Sequence, residues 1–346
     1  MSGTSLDGVD LVYVKFKECH FHGKNITFDI IYSKTITYSS KWITSLKEAF
    51  YYNKEQLKEL NIKYGSYLSE LILDFMENNK IDIIDFIASH GHTIHHKPEE
   101  KYTLQIGNGQ TIANKTKQKT ICDFRTQDVA LGGQGAPLVP IGDKLLFSEY
   151  DYCLNLGGFA NISFDKNEER IAFDICPVNI VLNHYANKLG FPFDDAGKIA
   201  STGKVNSKLF NELNDLIFYK EEKPKSLGFE FVTEIIFPLI NTYNLSEKDV
   251  LSTFVEHVAF QIAKKIKSDG KLLITGGGTF NEFLISRINY YVKNEIIIPN
   301  KTIIDFKEAL IFAFLGLLKN ENKINCLKSV TGASKDHSSG FVFLPE

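Results

Sequence analysis

The sequence lacks several features that would assign a protein class at once. Its five cysteines are widely spaced and contain no CxxC pair, so it suggests neither a disulfide framework nor a zinc site and favours reduced thiols. No apolar run approaches the roughly 20 residues that cross a bilayer, and the N-terminus has no secretion signal. The net charge of −3 gives no nucleic-acid footprint. We therefore expect a cytoplasmic protein with a small-molecule partner, no nucleic acid and no membrane.

Two common nucleotide-binding motifs are also missing. The chain contains no GxxxxGK[ST], which excludes a P-loop protein, and no GxGxxG. Its 346 residues, 43% hydrophobic and 23% charged, have an ordinary globular composition and are enough for two domains. Any nucleotide site must therefore be built from other turns.

Apolar patterns that alternate between strand and helix organise the chain. Residues 11–17 and 26–38 alternate as strands, and a 3.6-residue period predicts a helix from Lys54 to about Asn78. Each half begins with strands and a Gly-rich turn and then alternates helix with strand, which predicts a layered α/β fold. We place the boundary in the Gly-rich segment before Pro137, giving lobes 1–135 and 136–346, and leave open a return of the C-terminal segment to the first lobe. Further helices are predicted at about 178–189, 204–216, 247–268 and 306–319.

Three Gly-rich turns lie beside apolar strands, at 2–8, 155–161 and 275–281. Backbone N–H groups of such turns can point at an anion, and ligands of open α/β sheets lie beyond the carboxyl ends of strands. One such turn often only ends a strand, but three together suggest a nucleotide held between two lobes. Gly276, Gly277 and Gly278 are predicted to open a helix whose positive N-terminus faces the nucleotide. Asp7 in the first turn is suited to hold a metal ion or orient a water, although a polar tail entering a hairpin is the alternative.

A histidine-rich stretch, residues 89–96, follows a strand predicted at 84–88. His92 and His96 are four residues apart, so on a helix they would share a face and could bind a metal. Gly91 and the preceding strand instead indicate a strand-end turn that lays polar side chains into a cleft. We favour this turn, with His92 as a substrate contact or a structural hydrogen-bonding group, and with His95 and His96 at the surface.

Three charged positions are suited to chemistry. Arg125 offers a rigid fork for a carboxylate or phosphate, or equally forms an internal salt bridge with Asp123 or Asp128. Asp174 ends a predicted strand, which suits a general base, although it could also cap the following helix. Glu308 lies within an apolar helix, so it needs a partner or faces a cleft.

The glycine-rich and polar motifs follow one another along nearly the whole chain. They are residues 1–10, Ser89–Thr93, Leu104–Asn108, Asp123–Arg125, Asp128–Ala130, Gly132–Pro140, Asn155–Gly158, Ala160–Ile162, Thr275–Gly278 with Asn281, Lys307–Ala309 and Ser329–Ala333. The set resembles the anhydro-N-acetylmuramic acid kinase family. The resemblance implies a two-lobed actin/hexokinase/Hsp70-like (ribonuclease H-like) fold, with a duplicated mixed sheet and flanking helices.

The resemblance also implies a reaction and roles for individual residues. An ATP-dependent kinase would open 1,6-anhydro-N-acetylmuramic acid with water and phosphorylate O6, giving N-acetylmuramic acid 6-phosphate and ADP in cell-wall recycling. Asp174 would be the base, while His92, Arg125 and Glu308 would hold the sugar. Mg²⁺, closure of the lobes and a homodimer are implied as well. The nucleotide would be bound by Ser2, Gly3, Thr4, Ser5, Asp7, Gly157, Gly158, Asn161, Gly276, Gly277, Gly278 and Asn281, with Asp7 also holding Mg²⁺.

The sequence departs from the family pattern in three places. The short strand before the first motif is missing, so we expect either a lobe without its opening strand or a start further upstream. Asp-Ile-Cys-Pro-Val-Asn at 174–179 replaces Asp-Thr-Gly-Pro-Gly-Asn, so Ile175, Cys176 and Val178 are expected to narrow the site or change the substrate. Where the family commonly has Gln in His-Gly-Gln-Thr, this sequence has His92. Two other functions stay open: a divergent nucleotide- and sugar-binding protein with low or altered activity, and a metal-using member with His92 and His96 as ligands.

Overall fold

A computed structural model describes residues 1–3, 6–17, 26–220 and 226–346. Strands and helices occur in both halves of the chain and the sheets are mixed, which confirms the predicted α/β class. Thr4 and Ser5, two of the expected nucleotide-binding residues, lie outside the described residues.

The strands are short except for the first two. They are β1 (Gly8–Lys17), β2 (Thr27–Thr37), β3 (Ile87–Ser89), β4 (His92–Lys97), β5 (Tyr102–Ile106), β6 (Thr120–Cys122), β7 (Tyr152–Leu156), β8 (Phe159–Lys166), β9 (Glu169–Pro177), β10 (Lys271–Thr275), β11 (Glu295–Ile297) and β12 (Phe341–Phe343).

The helices include three of about 20 residues or more, α2, α11 and α13. The set is α1 (Ser40–Glu48), α2 (Lys54–Asn78), α3 (Gly109–Thr116), α4 (Thr126–Ala130), α5 (Pro140–Leu146), α6 (Asn179–Lys188), α7 (Ser207–Asp215), α8 (Ile217–Lys220), α9 (Phe229–Phe231), α10 (Phe237–Asn241), α11 (Glu247–Lys265), α12 (Glu282–Tyr291), α13 (Lys301–Asn320) and α14 (Lys328–Thr331). In the part of the chain that the structure describes, no helix has the length and apolarity needed to cross a membrane.

The chain divides into two compact units. The first unit contains Met1–Leu146 and Phe306–Glu346, and the second contains Phe147–Asp305. The division therefore falls after α5, whereas the sequence placed a boundary at 135. The C-terminal segment belongs to the first unit, where β12 pairs with β6.

The first unit has its strands in three small sheets. The hairpin β1–β2 is antiparallel, β12-β6-β3 is a mixed sheet, and β4 pairs with β5. The helix α2 begins where the sequence predicts, because Asn53 and Gln56 form a capping box in which each side chain accepts from the other's backbone N–H at 2.9 Å. Apolar side chains of β1, α2, β3 and α13 line a cavity of about 630 Å³.

The predicted strand at 84–88 is shifted in the structure to Ile87–Ser89. Pairing with β6 begins only at Ile87, whose N–H donates to the Lys119 carbonyl at 2.8 Å. Ile84 and Phe86 precede the strand and are half-buried. Their apolar character reflects packing rather than strand pairing.

The second unit is built on one five-stranded sheet of order β11-β10-β7-β8-β9. Strands β7, β10 and β11 are parallel, while β8 and β9 are antiparallel additions. One face of this sheet packs against a core formed with the helices. The side chains on this face include Leu154, Leu156, Ile162 and Ile274. Because side chains alternate along a strand, the residues between them lie on the opposite face.

Candidate active site

A row of four polar residues crosses the five-stranded sheet on the face opposite the helical core. Thr275 of β10 pairs with Asn155 of β7, Asn155 pairs with Asn161 of β8, and Asn161 pairs with Asp174 of β9. Directly paired residues point to the same face, so register alone aligns these four side chains. We call Thr275, Asn155, Asn161 and Asp174 the polar row.

A β-bulge lies beside Asp174. Ala160 pairs with Cys176 and Asn161 with Asp174, so Ile175 is the extra residue on β9. Such bulges bend a strand and re-aim its side chains. Here Ile175 and Cys176, successive residues, both belong to the apolar core, and Val178 joins them there; all three are fully buried. The expectation that these three residues narrow the site is therefore wrong, because they fill the core.

The Asp174 carboxylate is half-buried and is held by the backbone. Its Oδ2 accepts a hydrogen bond from the Leu227 N–H at 2.8 Å. Burial raises the pKa of Asp174, and this hydrogen bond opposes the rise. The helix α6 has Val178 at its cap position and no side-chain cap, so the alternative role of Asp174 as a helix cap is wrong.

Two glycine turns flank the polar row. After β7, the carbonyls of Gly157 and Gly158 accept from the N–H groups of Asn179 and Val178, at 3.3 and 2.7 Å, which ties this turn to the start of α6. After β10, Gly276 has φ 86°, and a Cβ atom there would lie 2.7 Å from Asn155 Oδ1. Only glycine suits that position.

The turn at Gly276 does not lead directly into an α-helix, as the sequence predicted. Residues Gly277–Phe280 form a short 3₁₀ turn, and α12 begins at Glu282. Asn281 caps α12, its Oδ1 accepting from the Leu284 N–H at 2.9 Å. A Cβ atom on Gly278 would lie 2.7 Å from the Leu156 Cβ, whereas one on Gly277 would meet nothing within 4 Å. Gly277 is therefore the glycine with open space beside it.

In the first unit, the turn between β3 and β4 buries two histidines. Gly91 has φ 71°, and a Cβ atom there would lie 2.4 Å from the Ile106 carbonyl oxygen. The turn leaves His90 5% exposed and His92 3% exposed. The sequence correctly predicted a turn after a strand at this place and singled out His92. It gave no role to His90.

His90 positions Arg125. Its Nδ1 donates to the Gly91 carbonyl at 2.9 Å, so Nε2 is the acceptor and receives Arg125 Nε at 3.0 Å and Nη2 at 2.9 Å. Burial, and secondarily the Arg125 charge, place the pKa of His90 well below its ordinary value. His90 is therefore a neutral ring that fixes the guanidinium.

Arg125 and Asp128 also form hydrogen bonds with the Gly-rich loop after α4. Arg125 Nη1 donates to the Gly135 carbonyl at 2.6 Å, and the Gly135 N–H donates to Asp128 Oδ2 at 2.7 Å. Asp123 instead accepts from the Thr126 N–H. The alternative of a direct Arg125 salt bridge to either aspartate is wrong within the described residues, because the peptide of Gly135 lies between Arg125 and Asp128.

His92 belongs to a second buried chain of hydrogen bonds. Its Nδ1 is 2.8 Å from Ser2 Oγ, which is 2.6 Å from the Tyr38 hydroxyl; Tyr38 in turn contacts the Tyr64 hydroxyl. Burial lowers the pKa of His92 to about 4. His96 is exposed and lies on the same strand, where four residues span roughly 13 Å, so the two histidines do not form a metal site.

Two of the remaining candidates of the first unit, Glu308 and Asp7, are exposed to solvent. Glu308 is accessible although it lies in an apolar helix, and burial of its surroundings raises its pKa while Arg125 opposes the rise. Water reaches the Glu308 carboxylate, so this side chain is not part of the core. Its pKa is raised because protein surrounds it on several sides. Asp7 is exposed and Gly3 is half-buried.

Sequence reasoning missed the roles of three residues that shape these sites. Asn155 completes the polar row, His90 holds Arg125, and Asp128 is fully buried at the centre of a further cluster. A signal for His90 existed, because it lies between a buried strand and a glycine. The role of Asp128 depends on contacts with the C-terminal segment, far away in sequence, and has no local signal.

Comparison with known proteins identifies the family. The sequence profile of anhydro-N-acetylmuramic acid kinase matches residues 1–345. The anhydro-N-acetylmuramic acid kinase of Coxiella burnetii (strain Dugway 5J108-111) is 33% identical over 368 residues, covering 100% of this chain and 96% of its own. That of Photobacterium profundum is 33% identical over 376 residues, covering 99% and 97%.

Among solved structures, the activator of 2-hydroxyisocaproyl-CoA dehydratase from Clostridium difficile with bound ADPNP covers 64% of this chain and 88% of its own. Its identity of 16% and TM-score of 0.35 are too low to bear on fold or function. The full-length sequence matches are decisive: this chain belongs to the anhydro-N-acetylmuramic acid kinase family.

Proposed function

We propose that this protein opens 1,6-anhydro-N-acetylmuramic acid with water and transfers the γ-phosphoryl group of ATP to O6, giving N-acetylmuramic acid 6-phosphate and ADP. Family membership over the whole chain supports the substrate, and with it a place in cell-wall recycling. The observation that carries the chemistry is the setting of Asp174. Its carboxylate lies on the sheet face opposite the helical core, beside a bulge, at the β9 end of the polar row, and the Leu227 N–H holds it.

Asp174 is assigned the role of general base. Burial raises the pKa of Asp174, which makes its carboxylate a stronger base. The Leu227 N–H holds Oδ2, so Oδ1 is the oxygen we assign to the water. Asp174 takes the water proton, the water oxygen bonds to the anomeric carbon, the bond from that carbon to O6 breaks, and O6 accepts the phosphoryl group.

Arg125, His92 and Glu308 are assigned to the sugar. Three N–H groups of Arg125 are used by His90 and Gly135, and a guanidinium has five. The remaining two face no fixed partner among the described residues and suit the carboxylate of the sugar acid. Because His90 fixes the fork before the ligand arrives, little ordering cost is left for binding.

The glycine turns are assigned to the nucleotide. We propose that residues 2–5 contact the phosphates and that the turns at Gly157, Gly158 with Asn161 and at Gly276–Gly278 with Asn281 contact the rest. The Ser2 hydroxyl is engaged with His92 and Tyr38, so its backbone is what we assign to phosphate. Asp7 presents an exposed carboxylate, the hard oxygen ligand that Mg²⁺ prefers, and bound Mg²⁺ neutralises phosphate charge.

The reaction is tested by incubating the protein with ATP, Mg²⁺ and the anhydro-sugar in H₂¹⁸O. We expect ADP release that depends on the sugar, and one ¹⁸O at the anomeric carbon and none in the phosphate. ¹⁸O-phosphate without a phosphosugar would indicate plain ATP hydrolysis and contradict the proposal. Binding of both ligands without turnover would instead support the divergent binding protein.

We propose that the protein is a homodimer, which rests on family membership alone. The chain has a mass of 39.2 kDa. Light scattering on the eluting protein is expected to give about twice that mass, and a mass equal to the single chain at micromolar concentration would contradict it.

A further inference from the structure

A buried cluster of potential metal ligands lies in the first unit, and the peptide of Gly135 separates it from Arg125. Asp128 comes from α4, while Cys326 and His337 come from the C-terminal segment. Their exposed fractions are 0%, 1% and 5%, and one ligand atom from each lies within 4.8 Å of the others. Among the described residues this is the one group of three or more His, Cys, Asp or Glu side chains that meets this distance.

The orientation of His337 points to a missing partner. Its Nδ1 lies 3.1 Å from the Lys335 carbonyl, which can only accept, so Nδ1 carries the proton. In the neutral ring Nε2 then presents a lone pair. Within the described residues this buried atom has no hydrogen-bond partner, and it lies 3.6 Å from Asp128 Oδ1. A lone pair that faces a carboxylate oxygen is repelled by it, and either a proton on Nε2 or a cation beside the two relieves this repulsion. A backbone-anchored Nδ1–H is the usual state of a metal-binding histidine.

The charges of the cluster match a divalent ion. Asp128 contributes one negative charge, and Cys326 contributes a second when its thiol proton is released on binding. Together with a neutral imidazole they give a site of zero net charge around a 2+ ion, which suits a fully buried position.

The distances require only a small adjustment. Zinc bonds of about 2.0 Å to O and N and 2.3 Å to S place tetrahedral ligands roughly 3.3–3.6 Å apart. His337 Nε2 and Asp128 Oδ1 are already 3.6 Å apart. Cys326 Sγ now donates to Asp128 Oδ1 at 3.0 Å, so the pair must open by about half an ångström as the proton leaves. Thr331 Oγ1, 2.7 Å from the same Asp128 oxygen, offers a fourth ligand atom within the cluster.

We propose that Asp128, Cys326 and His337 bind one Zn²⁺ or a similar thiophilic divalent ion in a structural site. A thiolate with an imidazole selects Zn²⁺ over Mg²⁺, so this site is separate from that of the nucleotide-bound ion. The metal would fix the C-terminal segment to α4 and, through the Gly135 N–H on Asp128, to the loop that Arg125 holds. The proposal does not depend on the sugar kinase reaction.

The test uses the full-length protein stripped with a chelator and titrated with Co²⁺, a spectroscopic substitute for Zn²⁺. We expect one Co²⁺ per chain, with a near-ultraviolet thiolate-to-cobalt band that Zn²⁺ abolishes and Mg²⁺ does not. Cys326→Ser should lose the band, and Cys122→Ser, a buried cysteine of the same unit, should keep it. His337→Gln keeps the thiol and should weaken Zn²⁺ binding at least about a hundredfold.

Stability gives a second, independent readout. A hundredfold excess of Zn²⁺ over its Kd should raise the unfolding temperature of the wild type by several degrees and leave that of His337→Gln unchanged. A wild type that binds no Co²⁺ stoichiometrically would show that Asp128 and His337 form a plain buried ion pair and would overturn the proposal. A cobalt band that persists in Cys326→Ser would also overturn it, because the metal would then bind elsewhere.

Discussion

The two units position their functional side chains by different means. In the second unit, the register of the paired strands aligns the side chains. The four residues of the polar row are direct partners on neighbouring strands, and few side-chain contacts hold them. In the first unit, the strands are divided among three small sheets, and side-chain hydrogen bonds position the site instead. His90 orients Arg125, and Ser2 and Tyr38 orient His92.

This difference predicts different responses to mutation. A residue of the polar row can be exchanged for an isostere with little structural effect, because the sheet holds its backbone. A residue of the first unit's networks cannot, because its loss leaves a buried partner unsatisfied, at a cost of about 1–3 kcal/mol. The variants below test this contrast, beginning with the largest expected effect.

Asp174→Asn should remove activity without unfolding the protein. Loss of a general base lowers turnover by about 10²–10⁴-fold, while the amide keeps the shape of the side chain and the Leu227 contact. ADP release measures turnover, and calorimetric titration with ATP should give an unchanged affinity. Asp195→Asn, an exposed aspartate of the same unit, serves as the control. Residual turnover above about one part in a hundred would argue against Asp174 as the base.

Arg125→Lys should weaken the sugar site and destabilise the first unit together. Lysine keeps the charge but cannot reach His90, Gly135 and a ligand at once, so kcat/KM should fall by about 10–100-fold. The unfolding temperature should also fall, since His90 Nε2 and the Gly135 carbonyl lose their donor. Unchanged stability in this variant would contradict the contrast between the units.

His92→Gln should make the protein less sensitive to acid. The pKa of His92 is about 4 in the fold against an ordinary 6.5, so below pH 6.5 the unfolded chain binds the proton more readily and stability falls as the pH drops towards 4. At pH 5 the lowered pKa of His92 reduces the free energy of unfolding by about 2 kcal/mol, and the Gln variant should not show this loss. Chemical denaturation at pH 7 and pH 5 measures the difference. His96→Gln, on the same strand, should reduce the acid sensitivity less, because burial lowers the pKa of His96 to a smaller extent than that of His92.

Gly276→Ala and Gly277→Ala should separate structure from nucleotide contact. At Gly276 a methyl group meets Asn155 and the Leu156 backbone at positive φ, which should cost about 1–2 kcal/mol of stability. At Gly277 the space is open, so stability should stay within about 0.5 kcal/mol. If the nucleotide lies against this turn, Gly277→Ala weakens ATP binding at unchanged unfolding temperature. Full ATP affinity in Gly277→Ala would move the nucleotide away from this glycine.

Local sequence patterns predicted the elements better than the site. The helix α2 could be bounded correctly because its start depends on Asn53 and Gln56 within one turn. The strand at 84–88 was misplaced because apolar residues pack in loops as well as in strands. The glycines at 276–278 indicated a phosphate turn, but only the fold shows that two of them are required by contact with β7.

Residues joined across the chain were beyond local prediction. The polar row depends on strand register and on a bulge at Ile175, neither of which has a local signal. Ile175, Cys176 and Val178 were expected to narrow the site because they replace smaller residues of the family motif, but they are buried in the core, where the bulge places Ile175 and Cys176 together. The absence of any CxxC suggested no zinc site, yet Cys326 reaches Asp128 across 198 positions of sequence.

The grip on Gly135 has a consequence for hydrogen exchange. Its amide proton is held by a fully buried carboxylate and its carbonyl by a guanidinium, so neither end of the peptide can turn to water without breaking a charged contact. A stretch with three glycines in four residues would ordinarily exchange its amide protons within moments. Here the Gly135 amide should exchange as slowly as those of the neighbouring core, which makes this glycine-rich stretch one of the rigid parts of the molecule.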